Sequence, residues 1–184
     1  SCYHIPLLHL STDYVFDGEQ RMPYREDDPV VPINQYGLSK WLGEEAVRQH
    51  TKRHIILRVS GVFSNYGNNF YRTMLALKSS SKPISVVSDQ ITCPTYAGDI
   101  ADTIFAILED NDPSWGTYHY CNTPPTSWHQ FAEAILQHKV TAITTCTAKR
   151  IAKRPQYSCL DCSKIKSTFG IKQVTWEKAL ASAR

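Results

Sequence analysis

Short apolar runs alternate with amphipathic segments along this chain of 184 residues, and that alternation limits the possible folds more than any other feature. The apolar runs at residues 5–10, 54–59 and 84–87 are typical of strands that are buried on both faces of a parallel sheet. Residues 35–49 and 68–79 repeat apolar side chains three and four positions apart, which is typical of helices. The order of these elements predicts an α/β fold with a parallel sheet.

The alternation continues through the second half of the sequence. Residues 97–108 have a strong helical pattern, with the acidic Asp99 near the start, where it suits the helix dipole. Ser127 is the predicted N-cap of the next helix. The β-branched stretch at residues 140–147 predicts a strand. Further predicted elements are a strand at 117–121 and helices at 128–138, 163–169 and 176–183.

The composition is that of a globular domain without an unusual charge. Hydrophobic residues make up 42% of the chain and charged residues 20%, with a formal net charge of +3. That charge is too small to indicate nucleic-acid binding by itself. No apolar run approaches the length of a membrane-spanning helix, and no segment has the pattern of a signal peptide. We therefore expect a cytoplasmic protein without nucleic-acid or membrane partners.

The cysteines do not follow a metal-binding pattern. Cys159 and Cys162 form a C-x-x-C pair, but a zinc site needs two more ligands, and there is no second C-x-x-C or close histidine pair. The chain is also too large to resemble a small disulfide-stabilised scaffold. We expect no metal site and ordinary reduced thiols at the six cysteines, Cys2, Cys93, Cys121, Cys146, Cys159 and Cys162.

Hydroxyl and acidic side chains follow the first apolar run directly, at Ser11, Thr12 and Asp13. In open α/β sheets, ligands bind at the carboxyl ends of the strands, so these residues lie where a site is expected. A plain strand end with turn-forming polar residues is the alternative interpretation.

Tyr36 and Lys40 are four residues apart in a predicted helix and therefore share one face. A lysine ammonium close to a phenol favours the ionised phenol, which can then exchange a proton near neutral pH. The Thr12 hydroxyl could hydrogen-bond the same carbonyl oxygen as charge develops there. A short Y-x-x-x-K motif often arises by chance, and a solvent-facing pair is the alternative. Its position, after a strand ending in Ser-Thr and at the start of an amphipathic helix, favours carbonyl reduction.

The chain resembles the dTDP-4-dehydrorhamnose reductase family within the extended short-chain dehydrogenases/reductases. The resemblance rests on STDYVFDG at residues 11–18 and YGLSK at residues 36–40, and it extends from end to end of the chain. Further matches are PYRE at 23–26, GE at 43–44, NNF at 68–70, DQ at 89–90, PT at 94–95, SW at 127–128 and RP at 154–155. The resemblance implies reduction of the 4-keto group of a dTDP-linked deoxysugar by NADPH or NADH, in dTDP-L-rhamnose biosynthesis.

Individual roles follow from the same resemblance. Thr12 orients the carbonyl, Tyr36 donates the proton, and Lys40 tunes the tyrosine. Ser11, Tyr36 and Lys40 bind the cofactor. Asp13, Tyr14 and Phe16 border the sugar pocket. Asn69, Phe70, Gln90 and Arg154 lie toward the nucleotide diphosphate, although ordinary loop and capping roles stay open for these four.

The sequence departs from the family pattern at two pocket positions and in its glycines. Gly61 stands where the family usually has a tryptophan that covers the sugar, and Thr92 stands where a glycine is usual. No spacing among the glycines forms the G-x-x-G-x-x-G loop that holds a cofactor pyrophosphate. We expect an incomplete Rossmann-like parallel sheet from which roughly the first hundred residues of the family are absent.

Two parts are predicted within this frame. Residues 1–62 form the second half of the Rossmann-like domain, with the catalytic Thr/Tyr/Lys set. Residues 63–184 form a small C-terminal α/β substrate-binding part, from which the helix at 97–108 returns to the Rossmann-like core. Without a pyrophosphate loop, the chain is expected to be inactive alone. An exposed sheet edge is expected to cause self-association. The competing hypothesis is a non-catalytic regulatory protein that resembles the β subunit of methionine adenosyltransferase.

Overall fold

The computed structural model describes residues 5–78, 83–110 and 113–183, and it confirms the predicted α/β fold. The strands are β1 (Leu7–Thr12), β2 (His54–Val59), β3 (Val62–Phe63), β4 (Ser85–Val87), β5 (Ile91–Thr92), β6 (Thr95–Tyr96), β7 (Gly116–Tyr120), β8 (Thr126–Ser127) and β9 (Thr141–Ile143). The helices are α1 (Gln35–His50), α2 (Phe70–Lys78), α3 (Ala97–Leu108), α4 (Trp128–Leu136), α5 (Thr145–Ala148), α6 (Ser163–Phe169) and α7 (Trp176–Ser182). Within these ranges no helix is long and apolar enough to cross a membrane. The predicted helical residue Ser79 and the cysteine Cys2 lie outside the described residues.

The central sheet is parallel and has the strand order β1-β2-β7. Residues 55–59 of β2 are buried, as the sequence predicts. β1 differs from its prediction, because Leu7 and Leu10 are 43% and 42% exposed. The prediction of a strand buried on both faces over residues 5–10 is therefore wrong. In the described part of the chain β2 is the only strand beside β1, so one edge of β1 is unpaired.

Two buried apolar clusters stabilise the fold. The first surrounds the central sheet and includes Leu57 of β2 and Tyr118 of β7. α3 contributes Ile107 to this cluster, while the second cluster joins α2, α4 and α7 around Phe131. The first cluster also contains Ile165, far beyond residue 62. The division of the chain into residues 1–62 and 63–184 stays a prediction.

α1 buries only part of its predicted apolar stripe, in which Trp41 packs against the first cluster. Leu38 and Leu42 are 38% and 58% exposed, whereas Gly37 and Glu44 are buried. A Cβ atom at position 37 would clash with the Tyr14 carbonyl oxygen. Glycine therefore allows α1 to approach the end of β1 closely.

Residues 140–147 contain a shorter strand than predicted. β9 ends at Ile143, and the side chain of Thr144 then accepts a hydrogen bond from the backbone N–H of Thr147 at the start of α5. The prediction is wrong in its second half because a threonine hydroxyl can cap a helix as readily as its branched Cβ favours a strand.

The predicted cap of α4 is confirmed. The Ser127 hydroxyl accepts a hydrogen bond from the Gln130 backbone N–H at 3.1 Å, and the Gln130 side chain accepts one from the Ser127 backbone N–H at 3.2 Å. This reciprocal capping box begins α4 at Trp128, one wall of the site described next.

Candidate active site

A cleft of about 750 Å³ opens beside the carboxyl end of β1, within the size range of small-ligand sites. Its walls come from the first turn of α1, the turn between β2 and β3, the starts of α2 and α4, and residues 151–154. The lining contains two cations and no carboxylate. The lining residues are Tyr14, Ile33, Asn34, Gln35, Tyr36, Gly61, Val62, Phe70, Trp128, Ile151, Ala152, Lys153 and Arg154.

A smaller recess of about 250 Å³ shares part of the cleft wall and reaches the end of β1. Thr12 and Tyr36 both line this recess, although 24 positions separate them in the sequence. Ser11, Asp13 and Tyr14 line it as well. The structure therefore brings together two of the three side chains for which proton-transfer roles are predicted.

The Tyr36 side chain is held at the mouth of the recess by the start of α1. The Asn34 side-chain oxygen accepts a hydrogen bond from the Gly37 backbone N–H at 2.8 Å, which caps the helix. Tyr36 is 55% exposed, and its ring meets the edge of the Tyr14 ring with the centroids 5.9 Å apart. The phenol of Tyr36 is accordingly accessible to a ligand in the cleft.

Thr12 is oriented by the buried carboxyl group of Asp13. The Thr12 hydroxyl donates to Asp13 Oδ1 at 2.9 Å and accepts a hydrogen bond from the Tyr14 backbone N–H at 3.2 Å. The Ser60 hydroxyl donates a hydrogen bond to Asp13 Oδ2 at 2.9 Å. Burial raises the pKa of Asp13 from its ordinary value of 3.8 to about 6, against the hydrogen bonds from Ser158, Ser60 and Thr12, which lower it.

This carboxyl group gives the first testable prediction, a pH dependence of stability. Because folded Asp13 binds its proton up to a higher pH than the unfolded chain does, its contribution to the free energy of unfolding falls as pH rises from about 4 to about 6. The Asp13→Asn variant does not ionise at this position, so it lacks this pH-dependent decrease in the free energy of unfolding. The free energy of unfolding of Asp13→Asn relative to the unsubstituted protein should rise by about 2–3 kcal/mol between pH 4 and pH 7.

Urea unfolding at several pH values measures this difference. Asp27→Asn is the matched control, since the Asp27 side chain is 84% exposed and the charge change is the same. A relative stability of Asp13→Asn that does not change with pH would show that the Asp13 carboxyl group ionises normally in the folded protein.

Lys40 lies one turn beyond Tyr36 on α1 and is anchored to the sheet. Its ammonium group donates a hydrogen bond to the Leu10 carbonyl oxygen of β1 at 2.6 Å. The charge is thereby held at the carboxyl end of the edge strand.

Ser11 belongs to a buried ionic network. Its hydroxyl donates to Glu44 Oε1 at 2.5 Å, and Arg58 donates to both Glu44 oxygens at 2.9 and 2.7 Å. Arg48 adds a further hydrogen bond to Glu44 Oε2 at 2.9 Å. Burial opposes ionisation of Glu44, but the hydrogen bonds and charge of Arg58 hold its pKa below the usual range. The Ser11 hydroxyl is thus engaged as a donor, while the residue also lines the recess, and its cofactor contact stays a prediction.

Three predicted substrate residues do not face the cleft. Phe16 is fully buried and stacks on Tyr24 at 4.3 Å between centroids. Gln90 is 2% exposed, and its side-chain amide donates to Thr145. Asn69 accepts a hydrogen bond from a backbone N–H in the first turn of α2 and donates to the Ser64 carbonyl, so it has a capping role. A match to a family motif therefore does not by itself place a side chain in the pocket.

Gln90 still affects the cleft through its main chain. Its carbonyl oxygen accepts a hydrogen bond from the Trp128 backbone N–H at 3.3 Å. The Trp128 ring contacts Phe70, with the centroids 4.6 Å apart, and both rings line the cleft. The sequence-based prediction assigns no site role to Trp128, although the SW match at residues 127–128 is part of the family resemblance.

The two positions that depart from the family pattern differ in exposure. Gly61 lines both the cleft and the recess and has a φ of +53°, a left-handed conformation that favours glycine. Thr92 is 1% exposed, and its hydroxyl lies 3.1 Å from the Ser60 hydroxyl. It is therefore a buried residue behind the site and does not line the cleft or the recess.

Arg154 and Tyr14 form the polar side of the outer cleft. Burial and the nearby Asp13 charge raise the pKa of Tyr14 to about 12, against the opposing charges of Arg154 and Arg150. Asn34 donates a hydrogen bond to the Lys153 carbonyl at 3.0 Å, which ties this basic segment to the start of α1.

Comparisons with known proteins identify relatives of this chain. The family model described as the RmlD substrate binding domain matches residues 1–183. A dTDP-4-dehydrorhamnose reductase from Aggregatibacter actinomycetemcomitans is 42% identical over 193 residues, covering 97% of this chain and 66% of that protein. One from Sinorhizobium fredii is 39% identical over 189 residues, covering 95% of this chain and 64% of that protein.

Solved structures show the same relationship. The dTDP-4-dehydrorhamnose reductase from Bacillus anthracis, in complex with NADP, has a TM-score of 0.91 and 36% identity, covering 97% of this chain and 64% of that one. The ortholog from Clostridium acetobutylicum has a TM-score of 0.91 and 34% identity, with the same coverage. The chain thus spans 64–66% of the length of the two curated relatives named above. The match to the family model and the similarity to these reductases confirm the sequence-based prediction. The chain belongs to the RmlD substrate binding domain family.

Proposed function

We propose that this protein acts in the NAD(P)H-dependent reduction of the 4-keto group of a dTDP-linked deoxysugar, in dTDP-L-rhamnose biosynthesis. The observation that carries the proposal is the recess shared by Thr12 and Tyr36, which adjoins a cleft with aromatic and cationic walls. The reductase relatives support the same reaction.

The proton-transfer step uses residues of this chain. Tyr36 donates a proton to the sugar 4-oxygen, and Lys40 stabilises the phenolate that remains. The Thr12 hydroxyl carries one proton, which points to Asp13 in the absence of a ligand. To donate to the sugar oxygen, this hydroxyl turns away from Asp13, whose other oxygen keeps the Ser60 hydroxyl as a partner.

The residues present fit the nicotinamide end of a cofactor better than its pyrophosphate. A bound NADPH or NADH supplies the hydride that reduces C4 of the sugar. Tyr36 and Lys40 lie at the carboxyl end of β1 and suit the nicotinamide ribose. No glycine-rich turn among these 184 residues suits the pyrophosphate. We therefore propose that these residues by themselves bind the sugar nucleotide without turning it over.

Arg154 is proposed to bind the diphosphate, because it lies in a cleft whose lining contains no carboxylate. Phe70 and Trp128 offer apolar surface to the base or sugar. Arg154→Ala is expected to weaken dTDP binding about 10- to 100-fold, the effect of losing a hydrogen bond to a charged group. Calorimetric titration with dTDP measures this change.

Arg21→Ala is the control for that titration, because Arg21 is exposed, lies outside the cleft and removes the same charge. Equal affinities for Arg154→Ala and the unsubstituted protein would exclude Arg154 from the nucleotide site. Failure of dTDP to bind the unsubstituted protein would contradict the proposed function itself.

A regulatory protein that resembles the β subunit of methionine adenosyltransferase is the competing function. Gly61 and the lack of a glycine-rich turn favour it. The presence of Thr12, Tyr36 and Lys40 around one strand end favours the reductase. Binding of a partner protein without binding of dTDP would favour the regulatory function.

We also propose that the protein self-associates through the edge of β1. Ile5, Leu7 and Leu10 are 66%, 43% and 42% exposed beside an edge without a described partner strand. Such an edge invites pairing with a second copy. Leu7→Lys places a charge on the edge and should shift the sedimentation profile toward the monomer, whereas Met22→Lys, on a separate exposed loop, should not. A purely monomeric profile of the unsubstituted protein at high concentration would contradict self-association.

A further inference from the structure

Four cysteine side chains converge behind the floor of the recess. Cys93 follows β5, Cys121 follows β7, and Cys159 and Cys162 lie just before α6. All four are at most 5% exposed. Cys93 and Cys121 are far from the Cys159–Cys162 motif in the sequence, so only the fold reveals that these two thiols lie beside it.

The thiols form a chain of contacts. Cys93 lies beside both Cys121 and Cys159, whose thiols raise its pKa. The sulfur atoms of Cys121 and Cys162 are 3.7 Å apart. Among the described residues, no group of histidine, cysteine or acidic side chains is arranged to hold a metal ion. Chemistry between the thiols is therefore the more direct use of this cluster.

Cys121 and Cys162 differ in a way that suits thiol oxidation. The Gln173 amide donates to the Cys121 sulfur at 3.6 Å, and it also holds the Cys121 carbonyl at 2.8 Å. Hydrogen bonds from Cys162 and Cys93 lower the pKa of Cys121, while the same contact raises the pKa of Cys162. Cys121 is thus the better thiolate, and Cys162 is the adjacent thiol.

A disulfide between Cys121 and Cys162 requires a movement of their side chains. Cys162 is the N-cap residue of α6 and the most exposed of the four at 5%. A disulfide needs a sulfur–sulfur distance of about 2.0 Å, so the two side chains have to rotate toward each other from their present contact. Cys93 has two thiol neighbours, Cys121 and Cys159. Cys162 stands at the end of the row of thiols and contacts Cys121.

We propose that Cys121 and Cys162 form an oxidisable dithiol that hydrogen peroxide converts into a disulfide. The Cys121 thiolate attacks one peroxide oxygen, which forms a sulfenic acid as the O–O bond breaks and hydroxide leaves to become water. The Cys162 sulfur then attacks the sulfenic sulfur, which forms the S–S bond and releases a second water. Two thiols are oxidised and one peroxide is reduced to two waters.

Mass spectrometry of the folded chain tests this proposal. Cys146, which is exposed, and Cys2 are first replaced by serine, so that these two thiols do not contribute. After peroxide treatment and alkylation without reduction, the chain should lose two free thiols. Proteolysis should then yield one linked peptide pair that contains Cys121 and Cys162. Far-UV circular dichroism before and after treatment confirms that the chain stays folded.

A second variant separates the two sulfur roles. In Cys162→Ser, the sulfenic acid on Cys121 lacks its partner and should be trapped by dimedone, whereas the parent chain should give little adduct. A disulfide between another pair, or four free thiols after treatment of the folded chain, would overturn the proposal. The peptide map of the parent chain decides the question even if Cys162→Ser fails to fold.

Discussion

Replacing Tyr36 by phenylalanine is expected to lower the rate of 4-keto sugar reduction by about 10²–10⁴-fold, the usual contribution of a positioned proton donor. The substitution removes one hydroxyl and keeps the ring that meets Tyr14 edge-on. The affinity for dTDP should stay the same, because the proposed nucleotide contacts are Arg154, Phe70 and Trp128 and not the Tyr36 hydroxyl. The rate is measured with NADPH in the longest natural form of the protein that contains these residues.

Tyr66→Phe is the matched control for this experiment, since Tyr66 is 83% exposed and lies outside the cleft lining. It should reduce the sugar at the unsubstituted rate. An unchanged rate for Tyr36→Phe would refute the assignment of Tyr36 as proton donor, while a loss of dTDP affinity would indicate a binding role.

Arg58→Ala is expected to lower the free energy of unfolding by about 3–5 kcal/mol, the cost of leaving a buried charge without its partner. Glu44 is fully buried and receives two hydrogen bonds from Arg58 at 2.9 and 2.7 Å. The pair joins α1 to β2, so its loss also weakens the support of the helix that carries Tyr36 and Lys40. Equilibrium unfolding in urea measures the effect.

An exposed ion pair gives the comparison for that experiment. Arg25 lies 3.9 Å from Asp27, and their side chains are 71% and 84% exposed. Arg25→Ala should change the free energy of unfolding by less than about 1 kcal/mol. A similarly small effect of Arg58→Ala would mean that the Glu44 carboxylate is neutralised or rearranged without cost.

The parts of the site that depend on local spacing could be predicted from the sequence. Thr12 ends an apolar strand, and the strand ends of a parallel sheet face one side. Tyr36 lies in the first turn of a helix whose cap, Asn34, lies two residues earlier. Local patterns of this kind determine the backbone position of a residue, and both side chains reach the recess.

Contacts between distant segments could not be predicted in the same way. The apolar stripe of α1 is only partly buried, whereas Glu44 of the same helix is fully buried. No pattern within the helix indicates this burial, because it depends on Arg58 from β2. Phe16 follows the same motif as Thr12, yet it stacks on Tyr24 in the core. No local pattern shows which way a ring in the 3-10 turn after β1, at residues 13–15, or just beyond it will point.

The central claim is that the recess places a sugar 4-oxygen between Thr12 and Tyr36. A crystal structure of this chain with a dTDP-linked 6-deoxyhexose tests it most directly. The predicted result is a sugar 4-oxygen within about 2.6–3.2 Å of the Tyr36 and Thr12 hydroxyls, with the diphosphate at Arg154. A nucleotide sugar bound elsewhere, or a 4-oxygen out of reach of both hydroxyls, would contradict the account.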